Sequence, residues 1–342
     1  MTSLERNSMT LRPLLLTLLG ALLATLTVTS CATRLPREER ARRIETYKEN
    51  CGRYLAMGEW ERAQDQAMKG LALDEDHFLL RLYLGRALLQ RGDRDSILKA
   101  VYTLEQLDVD DDFRVPLSLA AAYERKGVNY SDSAAQVASG LRFTEASDPA
   151  ARSAEMVQVA DESFAKSKKQ YETALKLQPT DTEVLNGLVR VTALQGNYEE
   201  SLTWCDAIIR ITSDDRRFWD ERRKRSDISP QEERRMTKNI IDLDRLEMAI
   251  HLHSATILKG KLNRPEDALE SLDAIIAFDP SVAKIHSQRG GLLVELERYE
   301  EAIAALDKFL SMTTQPFEND DVQKAMRLRT KCETALASRT KA

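Results

Sequence analysis

Small residues recur along this chain at an interval of about 34 positions, each in register with a turn signal and larger apolar neighbours. A period of that length constrains the fold more than composition does. It describes one supersecondary unit repeated, each burying its apolar face against the next. One copy ends in Gly58-Glu59-Trp60-Glu61-Arg62-Ala63, followed by Ala67, Gly70 and Leu73. The next carries Leu84-Gly85, Gly92-Asp93 and Ile97. Others carry Tyr171-Glu172-Thr173-Ala174 with Pro179, Gly196-Asn197-Tyr198 with Ser201, Pro265-Glu266-Asp267-Ala268 with Pro280, and Tyr299-Glu300-Glu301-Ala302 with Phe309. Aligned on these marks, the copies begin near Ile44, Phe78, Phe113, Thr182, Ala249 and Ala283. Two of the gaps hold about one extra repeat length each.

The residue types have a physical reason. Two antiparallel helices approach closely only where side chains are small, and Gly85, Ala120, Gly290, Ala63, Ala268 and Ala302 supply such places. Tyr47, Tyr54, Leu84 and Leu88 fill the holes beside them. Glycine at the turns tolerates the left-handed conformation that ends a helix, and a proline stops the second helix. The pattern resembles the tetratricopeptide repeat over about 44–316, less two insertions. The resemblance implies an all-α, right-handed superhelical solenoid of helix-turn-helix units. Its repeats would occupy 44–77, 78–111, 113–181, 182–215, 249–282 and 283–316, with insertions at 129–160 and 216–248.

The N-terminus carries a second signal. Arg6 and Arg12 precede an uncharged run from Pro13 to Val28, short for a spanning helix and suited to a signal-peptide core. The run ends in Val28-Thr29-Ser30-Cys31, which resembles the bacterial lipobox. That resemblance implies a signal peptide over 1–30, acylation of Cys31, and a short tether over 31–35 ahead of a repeat domain over 36–342. Two or more acyl chains hold a protein stably on a bilayer. Ala32, rather than aspartate, follows the cysteine, which in that family points to the outer membrane and its periplasmic face. Arg37, Arg40, Arg42 and Arg43 then either face lipid headgroups or form a solvated helix end partnered by Glu38 and Glu39.

Charge and motifs exclude other classes. The chain has 50 Lys and Arg against 55 Asp and Glu, so no basic excess points to nucleic acid. No CxxC or His–Cys spacing suggests a metal, and no nucleotide-binding glycine loop, GxSxG or HExxH suggests an enzyme. His251 and His253 stand two apart, which on a helix places them on different faces. Cys51, Cys205 and Cys332 read as small buried hydrophobes. No cofactor is expected.

Both insertions read as helical. Asn129-Tyr130-Ser131-Asp132-Ser133 is loop-like, and Asp148-Pro149 caps a helix that continues to about 178, with Val157, Ala160, Phe164, Ser167, Tyr171 and Ala174 on one face. Ser229-Pro230-Gln231-Glu232 caps another, with a stripe of Met236, Ile240, Leu243, Leu246 and Ile250 running toward 260. A helix over 321–337 closes the last apolar face.

In the tetratricopeptide family the first helices line a groove that holds a partner segment. Carried onto this chain, the groove positions are Lys48, Arg86, Arg114, Asn186, Arg190 and His253, with Leu55, Leu79, Leu82 and Leu89 as an apolar strip. The polar set is mostly basic, which suits an acidic or carboxylate-ended segment. Gly52 stands where the family's carboxylate clamp has asparagine, so a chaperone-tail receptor is not supported. Arg216, Arg217, Arg222, Arg223, Lys224 and Arg225, with Trp219, form either a docking patch or the solvated face of a degenerate repeat. Domain order, lipobox then repeats, resembles lipoproteins that assemble pilus secretins or outer-membrane barrels. The expected partners are envelope proteins and the expected role is a scaffold or assembly factor. The alternatives are a regulator of cell-wall enzymes and a carrier that encloses a small ligand.

Overall fold

The computed structural model describes residues 35–107, 111–141, 148–225 and 227–339. These residues form thirteen helices and no strand. The fold is the all-α stack of helix pairs that the repeat implies. The expected signal peptide over 1–30 and Cys31 lie outside the described residues. The chain divides into two compact units, at Gly92 and Asp93.

The first unit holds α1 (Arg37–Ala56), α2 (Trp60–Leu71) and α3 (Phe78–Arg91). Gly58, at φ 74°, turns the chain between α1 and α2. The Glu59 amide then donates back to the Tyr54 carbonyl at 2.9 Å, closing the helix end. Cys51, Ala67 and Leu80 form the buried centre. The Cys51 thiol donates across the pair to the Ala63 carbonyl at 3.4 Å, which only a small residue at that crossing permits. A Cβ added at Gly70 would lie 2.5 Å from the Leu80 side chain, so α3 packs into the notch that glycine leaves. Of the expected apolar strip, Leu82 and Leu89 are buried and belong to the core.

The second unit holds α4 (Arg94–Glu105), α5 (Arg114–Ala138), α6 (Pro149–Leu177), α7 (Thr182–Leu194), α8 (Tyr198–Arg223), α9 (Pro230–Gly260), α10 (Pro265–Phe278), α11 (Ala283–Glu295), α12 (Tyr299–Met312) and α13 (Asp320–Arg339). Each packs on its neighbour in sequence from α5 onward, with α5 against α6 the most extensive pair. Aspartate or serine caps several of them: Asp93, Asp148, Asp181 and Ser229 each accept from amides of the first turn.

Large side chains set into notches without a Cβ hold the pairs together. Phe164 on α6 lies over Gly127 of α5, 2.5 Å from where a Cβ would be. Two turns further, Tyr171 lies over Gly187 of α7, closer still. Leu306 on α12 lies over Gly290 of α11, 2.7 Å from a Cβ there. Small hydroxyls bridge the α5–α6 and α7–α8 crossings. Ser167 donates to the Ala120 carbonyl at 2.8 Å, and Ser201 to the Val189 carbonyl at 2.8 Å. The repeat-marking residues Ala63, Ala120, Ala268 and Ala302 are fully buried.

The two extra lengths of chain lengthen helices. The helices α5, α6, α8 and α9 have 25, 29, 26 and 31 residues, against 12 to 14 for α2, α4 and α12. The loop expected at 129–133 is helix. Ser133, Ala134 and Val137 there are buried, the last two packing on Met156 of α6, and this contact outweighs the turn-prone composition. On α6 the expected stripe shifts by one residue: Val157 is exposed and Met156 is buried. Elsewhere α6 is one continuous helix, as its periodicity predicts.

Adding a methyl at Gly187 must displace the Tyr171 ring, whereas Gly291 has open space above it. Gly187→Ala should therefore lower stability by about 1–3 kcal/mol, and Gly291→Ala should be neutral or raise it by up to about 1 kcal/mol. Thermal unfolding followed by circular dichroism checks both. Equal effects would show that the notch does not hold the pair.

Candidate functional site

The six expected groove residues divide between the two units. In the first, Lys48 on α1 pairs with Glu45 at 2.6 Å. That hydrogen bond holds its ammonium above the usual lysine value. Arg86 on α3 is exposed and makes no ion pair among the described residues. Of the four N-terminal arginines, Arg42 and Arg43 pair with Glu39 and Arg40 donates to the Leu73 carbonyl. Of the two expected carboxylate partners, Glu39 is the one engaged.

In the second unit Arg114 is tied to Asp112 at the start of α5, by bonds of 2.8 and 3.1 Å from its Nε. The same guanidinium holds the Asp112 carboxyl below the usual carboxylate range. Asn186 is half-buried on α7. Arg190, four residues on, donates to both oxygens of Glu124, at 2.7 and 3.0 Å, and to the Tyr171 hydroxyl at 3.3 Å. Tyr171 in turn donates to Glu124 at 2.7 Å. Burial, and then Glu124, raise the Tyr171 phenol well above its ordinary value, so it stays a donor. Glu124 is only 13% exposed and Arg190 neutralises it. Arg190 therefore serves the fold, and replacing it by glutamate would set two carboxylates together. His253 on α9 lies 3.5 Å from the Ser201 hydroxyl. Burial first, and Arg190 second, hold its imidazole below the usual value. Ser201 is fully buried and its hydroxyl proton is given to Val189, so its oxygen can only accept from the His253 ring.

The basic residues near the end of α8 are mostly spoken for. Arg216 turns inward. It donates to Asp244 and to Glu247, each at 2.7 Å, and its guanidinium stacks 4.5 Å above the Phe278 ring. Glu247 is buried at 3% exposure and also accepts from Thr212 at 3.0 Å. This cluster joins α8, α9 and α10. Arg217 pairs with Asp214, Arg222 with Glu232, Arg223 with Asp220 and Arg225 with Asp227. Lys224 alone of the set has no such partner among the described residues. Trp219 is half-buried, its ring edge against Phe218, which is exposed. The set is a charge-balanced helix surface rather than a basic patch.

A cavity of the second unit lies elsewhere, between α9, α11 and α13. Its volume is about 1030 Å³. Leu252, Ala255, Leu272, Leu292, Phe309 and Leu328 give it an apolar floor. Gly260 and Gly291 also line it, and neither has any neighbour within 4 Å of where a Cβ would sit. Four lysines and two carboxylates stand on the walls: Lys259, Lys284, Lys324, Lys331, Glu295 and Asp321. Lys259 is bound to Glu295 at 2.6 Å. Lys284, Lys324 and Lys331 are exposed and form no ion pair among the described residues. The sequence reading missed this site. One signal was present: Gly290-Gly291 places two glycines inside a helix where the repeat needs only one small residue.

The three described cysteines are buried and free. Burial pushes the Cys51 thiol up to about 12 and the Cys205 thiol to about 11, so both are held as unreactive thiols. Among the described residues no group of His, Cys, Asp and Glu is arranged to hold a metal ion, and no helix is long and apolar enough to cross a membrane.

Two segments, residues 156–216 and 257–318, match the tetratricopeptide repeat. No curated protein matches the chain. Among solved structures it is similar to a thermophilic repeat protein of Thermus thermophilus, at 13% identity over 86% of this chain and 99% of that one, with a TM-score of 0.30. A tetratricopeptide repeat protein of Parabacteroides merdae is 12% identical over 84% and 99%, with a TM-score of 0.30. The TPR2AB domain of yeast Sti1, solved with pHSP90, is 13% identical over 85% and 98%, with a TM-score of 0.28.

Burial, the largest cause in each case, holds both His251 and His253 below the usual imidazole value, although Glu247 and Asp206 pull His251 the other way. The unfolded chain protonates at the ordinary value, about 6.5, and the folded unit resists. Stability should therefore be full above about pH 6.5 and fall as pH drops from there toward the lower folded values. Replacing both residues by glutamine should flatten the Tm profile between about pH 7 and 5. An unchanged slope would mean that neither ring is kept neutral by the fold.

Proposed function

We propose, for a chain that carries tetratricopeptide repeats, that it is a lipid-anchored interaction scaffold or assembly factor of the bacterial cell envelope. Cys31 carries the acyl chains, the anchor sits in the outer membrane on its periplasmic face, and the repeats receive a segment of another envelope protein. The protein-binding role follows from the repeat fold, which offers surfaces between stacked helices rather than a reaction centre.

The groove between α9, α11 and α13 is the observation that carries the docking role. It has an apolar floor for burial and polar walls for orientation, as binding sites generally do. A carrier of a small ligand would favour an enclosed cavity. Here Lys284, Gln288, Glu295, Lys324 and Lys331 on the walls are exposed to solvent, which suits a chain segment laid in from outside. Support for the anchor is in the sequence: the run from Pro13 to Val28 and the Val28-Thr29-Ser30-Cys31 motif behind it.

Two variants test the two halves. Cys31→Ser should abolish incorporation of labelled fatty acid and move the protein from the membrane pellet to the soluble fraction. Persistence in the pellet would remove the anchor. Gly291→Trp fills the groove from a position with open space above it, so it should keep the helical circular dichroism spectrum and lose the partner that wild type captures by crosslinking in its native membrane. Undiminished capture of the same partner would place docking elsewhere.

A further inference from the structure

The groove differs in charge from the chain around it. The whole sequence carries 55 acidic against 50 basic side chains. The groove wall carries four lysines against Glu295 and Asp321, and Lys259 already satisfies Glu295. Elsewhere many arginines are matched by a carboxylate three residues away or on an adjacent helix, as with Arg217, Arg264, Arg289 and Arg329. The three lysines left over converge on one cavity from two helices, Lys284 from α11 and Lys324 and Lys331 from α13.

The groove also holds bare backbone. Gly291 lies in the middle of α11, where glycine weakens a helix relative to alanine. Its neighbour Gly290 has a packing reason, the Leu306 side chain pressed against it. Gly291 has none, and neither does Gly260 on α9. Both instead face the cavity. Missing side chains there leave room for a large apolar group to rest on the helices beside Leu252, Leu292 and Leu328.

We propose that this groove selects an acidic protein segment with a bulky apolar anchor, the anchor seated over Gly260 and Gly291 and its carboxylates met by Lys284, Lys324 and Lys331. The proposal rests on the docking role given above and adds the chemistry of the partner. It makes the last helix a wall of the site, not only a cover for the end of the stack. Ammonium groups on flexible stems reach carboxylates at several positions, which suits a segment recognised by charge and anchor rather than by one fixed geometry. Attraction of this kind acts chiefly on the encounter rate and weakens with salt.

Fluorescence anisotropy with two labelled synthetic peptides tests it: one alternating pairs of glutamate with leucine and phenylalanine, and its counterpart with lysine for glutamate. Wild-type protein should bind the acidic peptide at least tenfold more tightly than the basic one, with an affinity that falls as salt is raised. In the triple variant Lys284→Glu, Lys324→Glu, Lys331→Glu the preference should reverse. The triple glutamine variant, which adds no repulsion, should lose most of the preference while keeping the wild-type Tm. A preference unchanged in both variants overturns the proposal. So does equal binding of the two peptides. If Gly291→Trp abolishes that equal binding, the groove still docks partners and only the charge selection fails. If Gly291→Trp leaves it intact, the groove reading fails as well.

Discussion

A large side chain pressed against a residue without a Cβ is the contact on which the second unit depends. Phe164 on Gly127, Tyr171 on Gly187 and Leu306 on Gly290 each bring two helix backbones closer than any other residue would allow. Dispersion falls off steeply with distance, so such contacts gain at many atom pairs at once. At the first of these crossings the buried Ser167 hydroxyl reaches the Ala120 carbonyl because the helices are that close. Extra chain is then accommodated by lengthening helices, since longer helices leave the crossings untouched.

Stacking in this way brings charged side chains of neighbouring helices together, and many of them use each other up. Arg190 is held by Glu124 and Tyr171, and Arg216 by Asp244 and Glu247. A charge so engaged is expensive to withdraw for a ligand, because its partner would remain buried and unpaired. Binding capacity lies with the charges the fold leaves free. In the second unit three of these, Lys284, Lys324 and Lys331, stand around one groove where α13 ends the stack, over a floor that keeps two glycines without a packing reason. The same terminal helix that covers apolar surface at Ala325 and Cys332 therefore shapes the region best suited to a partner.

How much of this could be read from residues depended on distance along the chain. The repeat marks, the turn glycines and the caps at Asp148 and Ser229 act over a few residues, and the structure contains them all. The continuation of α5 through Asn129 and Ser133 was not legible, because contact with Met156 of α6 decides it. That Arg190 is held by Glu124, 66 residues away, was not legible either. In the basic run before Ser229, the partners of Arg216 and Arg222 were not legible, because Asp244, Glu247 and Glu232 come from another helix. Lys324 and Lys331 escaped notice for the same kind of reason: only the packing of α13 turns them toward α11. The doubled glycine at 290 and 291 was a local sign of that groove.

The most direct measurement is site-specific photo-crosslinking in the native membrane. A photoreactive residue is placed at Gln288, on the groove wall, and separately at Ala304, exposed on α12 outside it. Reaction from Gln288 into one discrete partner, with none from Ala304, is the result this account predicts. Equal reaction from both positions, or from Ala304 alone, would contradict it.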